Sequence, residues 1–230
     1  MGVLRYKRLY WNCWMYVERL SNTIEFLLLG MRYPVWKRSI DVFGAVTGLL
    51  FVIPFTPVIA FAIVAESKGG VFVKLERISE GRVIRVYKFR SMVHDALDRK
   101  RELLHLNERN DGPFFKISHD PRVTRVGRVL RRFRLDEMPQ LINVLKGELA
   151  LVGPRPHEPE EVLKYPDEYR TIIEYRAGAT GHSQVNGASS LPFLKELELD
   201  KHYLENMSPA FDAKIIAKTM AILFFDPTAV

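Results

Sequence analysis

The chain has a single cysteine, Cys13, among its 230 residues. No internal disulfide bond can form, and such cysteine usage is consistent with a reducing, cytosol-facing location. Acidic residues Glu18 and Glu25 interrupt the early apolar positions, so we expect no secretory signal. The sequence also lacks internal repeats. With 47% hydrophobic and 27% charged residues, it does not belong to the disordered or low-complexity classes.

Charged residues are missing from the 24 positions between Asp41 and Glu66. A straight helix of that length would extend about 36 Å, enough to cross a hydrocarbon core of about 30 Å. However, Pro54 and Pro57 lie in the middle of the run, where each removes a backbone donor and bends a helix. This pattern alone leaves three structures open: a buried helical hairpin of a soluble core, a single membrane span, and a re-entrant helix.

Basic residues flank the apolar run on both sides. They are Arg32, Lys37 and Arg38 before it, and Lys68, Lys74 and Arg77 after it. A spanning helix normally carries its excess of Lys and Arg on one side, whereas symmetric flanks suit a hairpin that returns to the same face. Each arm would contain about 12 residues and measure about 18 Å, which is one leaflet. We therefore expect a proline-broken re-entrant membrane helix at residues 37–68.

Amphipathic helices are predicted on both sides of this segment. Residues 1–36 combine Trp, Tyr and basic side chains with apolar residues at helical spacing, which is typical of an interfacial helix; an ordinary packing helix is the alternative. Near the end, residues 211–224 have an apolar stripe beside Lys214 and Lys218, which fits a core helix or an interfacial one. We expect three parts: an N-terminal amphipathic extension (1–36), a membrane hairpin (37–68) and a polar-side domain (69–230).

A small β-hairpin is predicted after the membrane segment. Residues 71–73 and 83–87 are β-branched and aromatic, and Glu80 and Gly81 lie between them. The second strand runs into Lys88 and Arg90, which places two cations near a strand end. The predicted fold class is therefore α+β, mostly helical, with one small hairpin.

An arginine-rich segment follows Asp120. Its arginines recur every three or four residues opposite apolar side chains, which predicts an amphipathic helix: Arg122, Arg125, Arg128, Arg131 and Arg132. The net charge of +7 implies an anionic partner, such as nucleic acid, anionic lipid or a phosphate-bearing substrate. Plain solvent exposure, or docking on anionic lipid, explains this stripe equally well.

Two neighbouring carboxylates, Asp136 and Glu137, come directly after the stripe, and Pro139 follows them. Because proline is tolerated only in a first turn, we expect a helix to begin near Asp136, with its dipole keeping that carboxylate ionised. A simple N-cap is one interpretation. The other is chemical, because a carboxylate so placed can attack phosphorus and form an aspartyl phosphate.

The neighbouring residues favour the chemical interpretation. Glu137 can hold a hard cation such as Mg²⁺, and the preceding arginines can clamp a diphosphate. Arg155, between Pro154 and Pro156, supplies one more cation. Carboxylate, metal and arginines are what phosphoryl transfer needs, because it depends mainly on positioning and charge neutralisation.

Seven short motifs, in the order in which they follow one another along the chain, make this sequence resemble the bacterial sugar transferases that act on polyprenol phosphate. These are the small monotopic phosphoglycosyl transferases and the matching catalytic domain of their larger relatives. The likeness extends from residue 37 to about residue 220. It comprises Lys37-Arg38 with Asp41, and residues 87–92 (YKFRSM), 135–140 (LDEMPQ), 143–148 (NVLKGE), 152–156 (VGPRP), 178–187 (GATGHSQVNG) and 200–212 (DKHYLENMSPAFD).

The resemblance implies a monotopic enzyme at the inner membrane, with residues 69–230 as a catalytic domain on the cytoplasmic face. It implies that Asp136 attacks the β-phosphate of a UDP-sugar, expels UMP and keeps the phosphosugar covalently. Polyprenol phosphate, usually undecaprenyl phosphate, then accepts the phosphosugar and begins a glycan such as O-antigen, capsule or exopolysaccharide.

The resemblance also implies a site. Asp136, Glu137, Lys88 and Arg131 would be catalytic, and Glu137 with Asp136 would hold Mg²⁺ as the cofactor. The residues expected to bind substrate are Arg155, Arg90, Pro154, Gln184 and Asn186. The expected partners are a UDP-sugar, polyprenol phosphate and membrane lipid, without nucleic acid; the oligomeric state is open, a homodimer included.

Two departures from the family pattern concern the membrane helix and the substrate. Ile53 stands where relatives often carry Ser before the proline, so Thr47 or Thr56 supplies the hydroxyl at the break, or none does. Ala188 stands where relatives commonly carry Arg, which leaves the sugar preference open.

The sequence leaves two other functions as alternatives. The first is a membrane-tethered nucleic-acid binder, which is disfavoured because the chain lacks the aromatic platforms that single-strand binders use. The second is an inactive scaffold of the same fold, which the intact Asp136–Glu137 pair disfavours.

Overall fold

A computed structural model describes residues 33–187 and 190–225. The chain divides into two units, Met1–Arg38 and Ser39–Val230, and only residues 33–38 of the first are described. The interfacial helix predicted for residues 1–36 therefore lies almost entirely outside the described residues, as does Ala188. Both expectations remain predictions.

The apolar run forms an interrupted helix. Helix α1 (Val35–Val52) leads through a 3-10 turn (Ile53–Phe55) into α2 (Thr56–Glu66). At the turn the Thr56 N–H group donates to the carbonyl of Ile53, and the Thr56 hydroxyl donates to the carbonyl of Val52 at 3.2 Å. The Thr56 hydroxyl thus replaces the N–H donor that the Val52 carbonyl would have in a regular helix. Of the hydroxyls considered from the sequence, Thr56 is the one at the break, whereas Thr47 bonds to Phe43 at 2.9 Å.

One side of this helix packs on the rest of the protein. Gly44 and Gly48 permit close contact, because a Cβ atom at either position would overlap Leu151 or Leu141. The opposite side exposes large apolar side chains: Val42, Phe43, Val46, Leu50, Phe51, Ile53, Phe55, Val58, Phe61 and Val64. An apolar surface of this extent marks a contact with lipid or protein, and it does not fit the hairpin buried in a soluble core. Among the described residues, Val35–Glu66 is the one segment long and apolar enough to cross a membrane.

The predicted β-hairpin is present. Strand β1 (Phe72–Ser79) pairs antiparallel with β2 (Arg82–Phe89), so that Phe72 lies opposite Phe89. Glu80 and Gly81 both have positive φ, 48° and 65°, as a two-residue turn requires to match the strand twist. A second, parallel pair joins the short strands β3 (Ala150–Val152) and β4 (Gly178–Thr180), which the sequence did not predict.

Seven further α-helices complete the described part of the chain. They are α3 (Ala96–Glu102), α4 (Arg125–Arg132), α5 (Gln140–Lys146), α6 (Pro159–Val162), α7 (His182–Val185), α8 (Phe193–Glu205) and α9 (Pro209–Phe225). The α+β class is therefore confirmed, and α9 matches the apolar stripe predicted near the end of the chain.

Two apolar clusters connect the interrupted apolar helix to the elements that carry the site. The first joins α1 to β2 and α5 through Ala45, Val86, Leu141, Val144, Leu149 and Ala177. The second joins α1 and α2 to β2 and α4 through Val52, Ile63, Phe89 and Leu130. Burying each Val, Leu, Ile or Phe side chain of these clusters stabilises the fold by about 1.5–3 kcal/mol. The position of β2, α4 and α5 is thus fixed against the apolar helix.

Candidate active site

The carboxylate pair lies in a 3-10 turn, Leu135–Glu137, between α4 and α5. Arg134 precedes the turn in the left-handed region, with φ of 51°. The α-helix begins only at Gln140, with Pro139 at its N-cap, so the expected start near Asp136 is wrong. The N–H groups of Glu137 and Met138 bond to carbonyls three residues earlier, which closes a tighter turn than an α-helix.

Lys88 pairs with Glu137 across this turn. Its ammonium nitrogen lies 2.5 Å from Oε1 of Glu137. Asn143 on α5 positions the strand, because its Oδ1 accepts the Tyr87 N–H at 3.0 Å and its Nδ2 donates to the Arg85 carbonyl at 2.8 Å. Sequence reasoning quoted Asn143 within a motif but gave it no role. The sequence carries no signal for this role, because the burial of the Asn143 amide and its partners on β2 are set by a distant element.

Arg131 lies at the end of α4, and its Nε donates to the Ser91 hydroxyl at 3.0 Å. Gly127, one turn earlier, packs directly on the Ser91 carbonyl, which a Cβ atom there would overlap. This contact holds α4 against the end of β2. The guanidinium of Arg131 acts on the Asp136 carboxylate as a favourable neighbouring charge.

The predicted arginine stripe is only partly correct. Arg122 lies before α4, is buried, and pairs with Asp120 at 2.6 Å, because an aspartate two residues earlier is its nearest partner. Arg125, Arg128 and Arg132 are exposed. Only Arg131 of the five faces the carboxylate pair.

Arg155 approaches the pair from another part of the chain. Its backbone N–H donates to Oδ2 of Asp200 at 2.9 Å. The carbonyl of the preceding residue, Pro154, accepts the Gly178 N–H at 2.8 Å. The backbone that carries Arg155 is thus pinned on both sides. Its guanidinium charge contributes to the electrostatics of Glu137.

The two carboxylates have opposite pKa shifts. Burial raises the pKa of Asp136 above its ordinary value, and Glu137 adds to the effect, while Lys88 and Arg131 oppose it. Burial therefore outweighs the charges of Lys88 and Arg131, and the α-helix whose dipole was expected to act on Asp136 begins only at Gln140. For Glu137, burial is outweighed by Lys88, Arg155 and Arg134, which lower its pKa. Neighbouring groups whose pKa values are pushed apart are typical of sites with divided roles.

Three residues expected at the substrate have other partners. The Arg90 guanidinium donates to the carbonyls of Ser67, Lys68 and Gly69, so it holds the chain after α2, and its assignment to substrate remains a prediction. Gln184 is buried and donates to the Ala179 carbonyl at 3.3 Å. Asn186 accepts from Lys218 at 2.6 Å. For Gln184 and Asn186, contact with substrate remains a prediction.

The carboxylate pair fits a magnesium ion as a partial ligand set. Within residues 33–187 and 190–225, no group of three or more His, Cys, Asp or Glu side chains is arranged to hold a metal. Mg²⁺ usually takes only one or two carboxylates together with substrate phosphates, which is what Asp136 and Glu137 offer. Oxygen donors of this kind do not favour a thiolate-preferring metal.

Together these residues combine a buried carboxylate, an ionised neighbour and three cations: Asp136, Glu137, Lys88, Arg131 and Arg155. Such a set suits a diphosphate substrate, because the cations neutralise phosphate oxygens while the carboxylate reaches phosphorus. The exposed apolar side of α1 and α2 is joined to this site through β2 and α4. The arrangement therefore suits phosphoryl-group chemistry next to an apolar surface.

Comparison with known proteins shows a family match over most of the chain. Residues 32–226 match the family described as bacterial sugar transferase. The chain is 35% identical over 192 residues to the galactosyl transferase CpsE of Streptococcus agalactiae serotype III, covering 81% of this chain and 42% of that protein. It is 34% identical over 188 residues to the exopolysaccharide production protein ExoY of Rhizobium meliloti, covering 80% of this chain and 83% of that protein.

A third relative is the undecaprenyl-phosphate glucose phosphotransferase of Komagataeibacter xylinus, with 35% identity over 205 residues, 84% of this chain and 36% of that protein. The chain thus spans less than half the length of CpsE and of the Komagataeibacter enzyme. The match covers the broken apolar helix, the carboxylate turn and the cations around it. The chain belongs to the bacterial sugar transferase family.

Proposed function

We propose that this chain transfers a sugar 1-phosphate from a UDP-sugar to polyprenol phosphate, with release of UMP. The observation that carries the proposal is the buried carboxylate of Asp136, flanked by Glu137 and by the cations of Lys88, Arg131 and Arg155. Relatives named for transfer of galactose, and of glucose phosphate to undecaprenyl phosphate, support it. Undecaprenyl phosphate is the expected acceptor, and the product would begin a capsule or exopolysaccharide.

The reaction proceeds in two displacements at one phosphorus atom. A carboxylate oxygen of Asp136 attacks the β-phosphorus of the donor, and the bond from that phosphorus to the bridging oxygen breaks. UMP departs with the bridging oxygen and its electron pair. A phosphate oxygen of the polyprenol phosphate then attacks the same phosphorus, forms the diphosphate and restores the Asp136 carboxylate. The covalent intermediate divides one difficult transfer into two steps.

The surrounding residues supply charge and position. Asp136 must be ionised to attack, and Lys88 and Arg131 favour that form against the effect of burial. Arg155 and Lys88 neutralise phosphate oxygens of the donor, which is the main requirement of phosphoryl transfer. Glu137, with Asp136, would hold Mg²⁺, which when bound neutralises charge on the diphosphate.

We propose further that the broken helix is re-entrant and that the site faces the cytoplasm. Both ends of the apolar segment are bonded to the same unit: Oδ1 of Asp41 accepts the Leu151 N–H at 2.8 Å. At the other end the Glu66 carboxylate accepts the N–H groups of Arg125 and Val126, each at 2.7 Å. A helix that crossed the bilayer would separate its ends, whereas a re-entrant helix returns both to one face.

The test is a release assay with a panel of donors. Purified protein is incubated with Mg²⁺, undecaprenyl phosphate and, in turn, UDP-galactose, UDP-glucose and UDP-N-acetylgalactosamine. We expect UMP to accumulate with at least one donor and the Asp136→Asn variant to be slower by about 10³-fold or more, as for loss of a nucleophile. UMP release by Asp136→Asn at the parent rate would contradict the proposal. An inactive scaffold would release no UMP with any donor.

A further inference from the structure

Glu196 is a fully buried carboxylate on α8 that the reaction above does not use. Its Oε1 lies 3.7 Å from Nη1 of Arg155 and 2.9 Å from Nε2 of His157. One turn later on α8, Asp200 accepts the backbone N–H of the same arginine at 2.9 Å. Helix α8 therefore holds Arg155 twice, by its main chain and by its side chain.

A chain of hydrogen bonds orients the Glu196 carboxylate. The buried Tyr165 hydroxyl bonds to Nδ1 of His157, whose Nε2 bonds to Glu196. Burial raises the pKa of Tyr165 well above its ordinary value, so the phenol keeps its proton and donates it to Nδ1. Because the Glu196 carboxylate can only accept, Nε2 of His157 carries the proton of that bond and donates it to Glu196.

The imidazole ring has little freedom to turn. The Phe114 ring lies 4.8 Å from it, and Phe193 packs edge-on against both Phe114 and Tyr165. Glu196 remains ionised, because the bond from His157 and the charge of Arg155 lower its pKa against the effect of burial. Tyr165, His157 and Glu196 thus form a rigid support with a negative charge at its end.

Arg155 lies between two carboxylates with different surroundings. Glu137 belongs to the catalytic pair, and Glu196 belongs to the rigid support; both act on the Arg155 charge. The Arg155 side chain is 32% exposed, so without a tether its guanidinium would sample several rotamers. Fixing such a side chain in advance saves ordering entropy when ligand binds.

We propose that Glu196, oriented by His157 and Tyr165, is a positioning residue that fixes the Arg155 guanidinium for the diphosphate of the donor. This inference rests on the proposed function, because it assigns Arg155 to the donor phosphates. It predicts that removing the charge of Glu196 weakens UDP binding, which is the opposite of what simple electrostatics predicts. Removing a carboxylate near an anion site makes the local potential more positive, so a bystander Glu196 would predict tighter binding after its charge is removed.

The experiment compares UDP binding and donor kinetics in three variants of α8. Glu196→Gln removes the charge while keeping an acceptor for His157, Glu196→Asp keeps the charge, and Glu198→Gln is the matched control. Glu198 lies on the same helix, is exposed and, within the part of the chain that the structure describes, forms a salt bridge with Lys195 at 2.7 Å. We expect Glu196→Gln to weaken UDP binding about tenfold and to raise the donor KM similarly, with kcat within about twofold.

Glu196→Asp is expected to recover at least half of that loss, on a logarithmic scale, and Glu198→Gln to match the parent. Tyr165→Phe removes the proton donor of His157 with almost no change in volume, and a loss of about threefold is expected. It carries the test alone if Glu196→Gln does not fold. Tighter or unchanged UDP binding in Glu196→Gln, or in Tyr165→Phe where that variant stands alone, overturns the inference.

A double-mutant cycle separates positioning from a general structural effect. In the Arg155→Gln background, Glu196→Gln is expected to change UDP binding by less than twofold, because the residue through which it acts is gone. An additional tenfold loss in that background overturns the inference. If the parent protein itself neither binds UDP nor releases UMP, the proposed function fails. If the parent does both and Glu196→Gln equals it, only the inference fails.

Discussion

The ammonium nitrogen of Lys88 lies 2.5 Å from Oε1 of Glu137, although the two residues are 49 positions apart in the sequence. The contact depends on Asn143, which bonds to the backbone of β2 on one side and belongs to α5 on the other. Lys88 neutralises the negative charge of Glu137, which lies next to Asp136 in the sequence. Asp136 therefore has an ion pair as its neighbour rather than an isolated anion. The carboxylate pair is therefore built on the junction between β2 and α5.

Replacing Lys88 tests this junction. Lys88→Met removes the cation bonded to Glu137, which raises the pKa of Asp136 further because the charge of Lys88 opposes that shift, and it removes a cation from the donor phosphates. We expect the rate of UMP release to fall about 10²-fold, the usual cost of losing one preorganised charge. Lys74→Met is the control, because Lys74 is an exposed lysine on the adjacent strand that contacts the Tyr87 ring. A rate for Lys88→Met within threefold of the control would contradict the assignment.

Gly127 tests how tightly α4 must approach the end of β2. Alanine normally stabilises a helix interior by up to about 1 kcal/mol relative to glycine. Here its Cβ atom would overlap the Ser91 carbonyl, so we expect Gly127→Ala to lower the free energy of unfolding by about 3 kcal/mol, as overpacking does. UMP release should also fall, because Arg131 is displaced with the helix.

The control for this substitution is Gly70→Ala, whose Cβ atom would meet only the Phe72 carbonyl oxygen at 3.7 Å. Thermal unfolding in detergent micelles measures both variants. We expect a lower Tm for Gly127→Ala and a parental Tm for Gly70→Ala. Equal values for the two variants would show that α4 does not need this approach.

Asp200 predicts a dependence of stability on pH. Burial raises its pKa from 3.8 to about 6, so between these values the folded protein holds a proton that the unfolded chain has released. Stability is therefore lost as the pH rises through this window, by about 3 kcal/mol for a shift of roughly two pKa units. Asp200→Asn lacks this titration.

The comparison is made by denaturant unfolding of the parent and of Asp200→Asn at pH 4.5 and at pH 7. We expect the variant to gain stability relative to the parent at the higher pH. The opposite sign, with the parent gaining, would mean that the Asp200 carboxylate is favoured by the fold rather than penalised by burial.

The proposed re-entrant topology predicts that both ends of the broken helix face one side of the membrane. Cys13 is the only native cysteine, so Cys13→Ser gives a background for single cysteines at two exposed positions, Ser39 and Arg82. A membrane-impermeant maleimide should label both in inside-out inner-membrane vesicles and neither in intact spheroplasts. Labelling of the two positions from opposite sides would establish a crossing helix.

Local sequence signals predicted those parts of the fold that depend on local chemistry. Glu80 and Gly81 predicted the hairpin because a two-residue turn needs positive φ, and Pro54 predicted the break because it lacks an N–H group. The β3–β4 pair was missed, because strands of three residues carry no periodicity. The burial of Asp136 and the roles of Asn143 and Glu196 could not be predicted from the spacing of residues in the sequence. Each of them depends on contacts with an element that is distant along the chain.

The arginines show the same limit. Periodicity placed five arginines on one helix, but it could not show that Arg122 binds Asp120 and only Arg131 turns toward Asp136. The resemblance implies that Arg90 binds substrate, but spacing could not show that its guanidinium bonds to the carbonyls of Ser67 and Gly69 after α2. The type and spacing of residues in the sequence show which interactions a side chain can form. The partners that lie nearest in the folded protein decide which of these interactions it forms.

The central claim is that the Asp136 carboxylate becomes covalently bonded to a phosphosugar. The direct measurement is intact-protein mass spectrometry after incubation with UDP-sugar and Mg²⁺, without polyprenol phosphate, followed by peptide mapping. We predict a mass increase of one phosphosugar, located on Asp136, absent in Asp136→Asn and lost when undecaprenyl phosphate is added. UMP release by the parent without any adduct, or an adduct that persists in Asp136→Asn, would contradict the account.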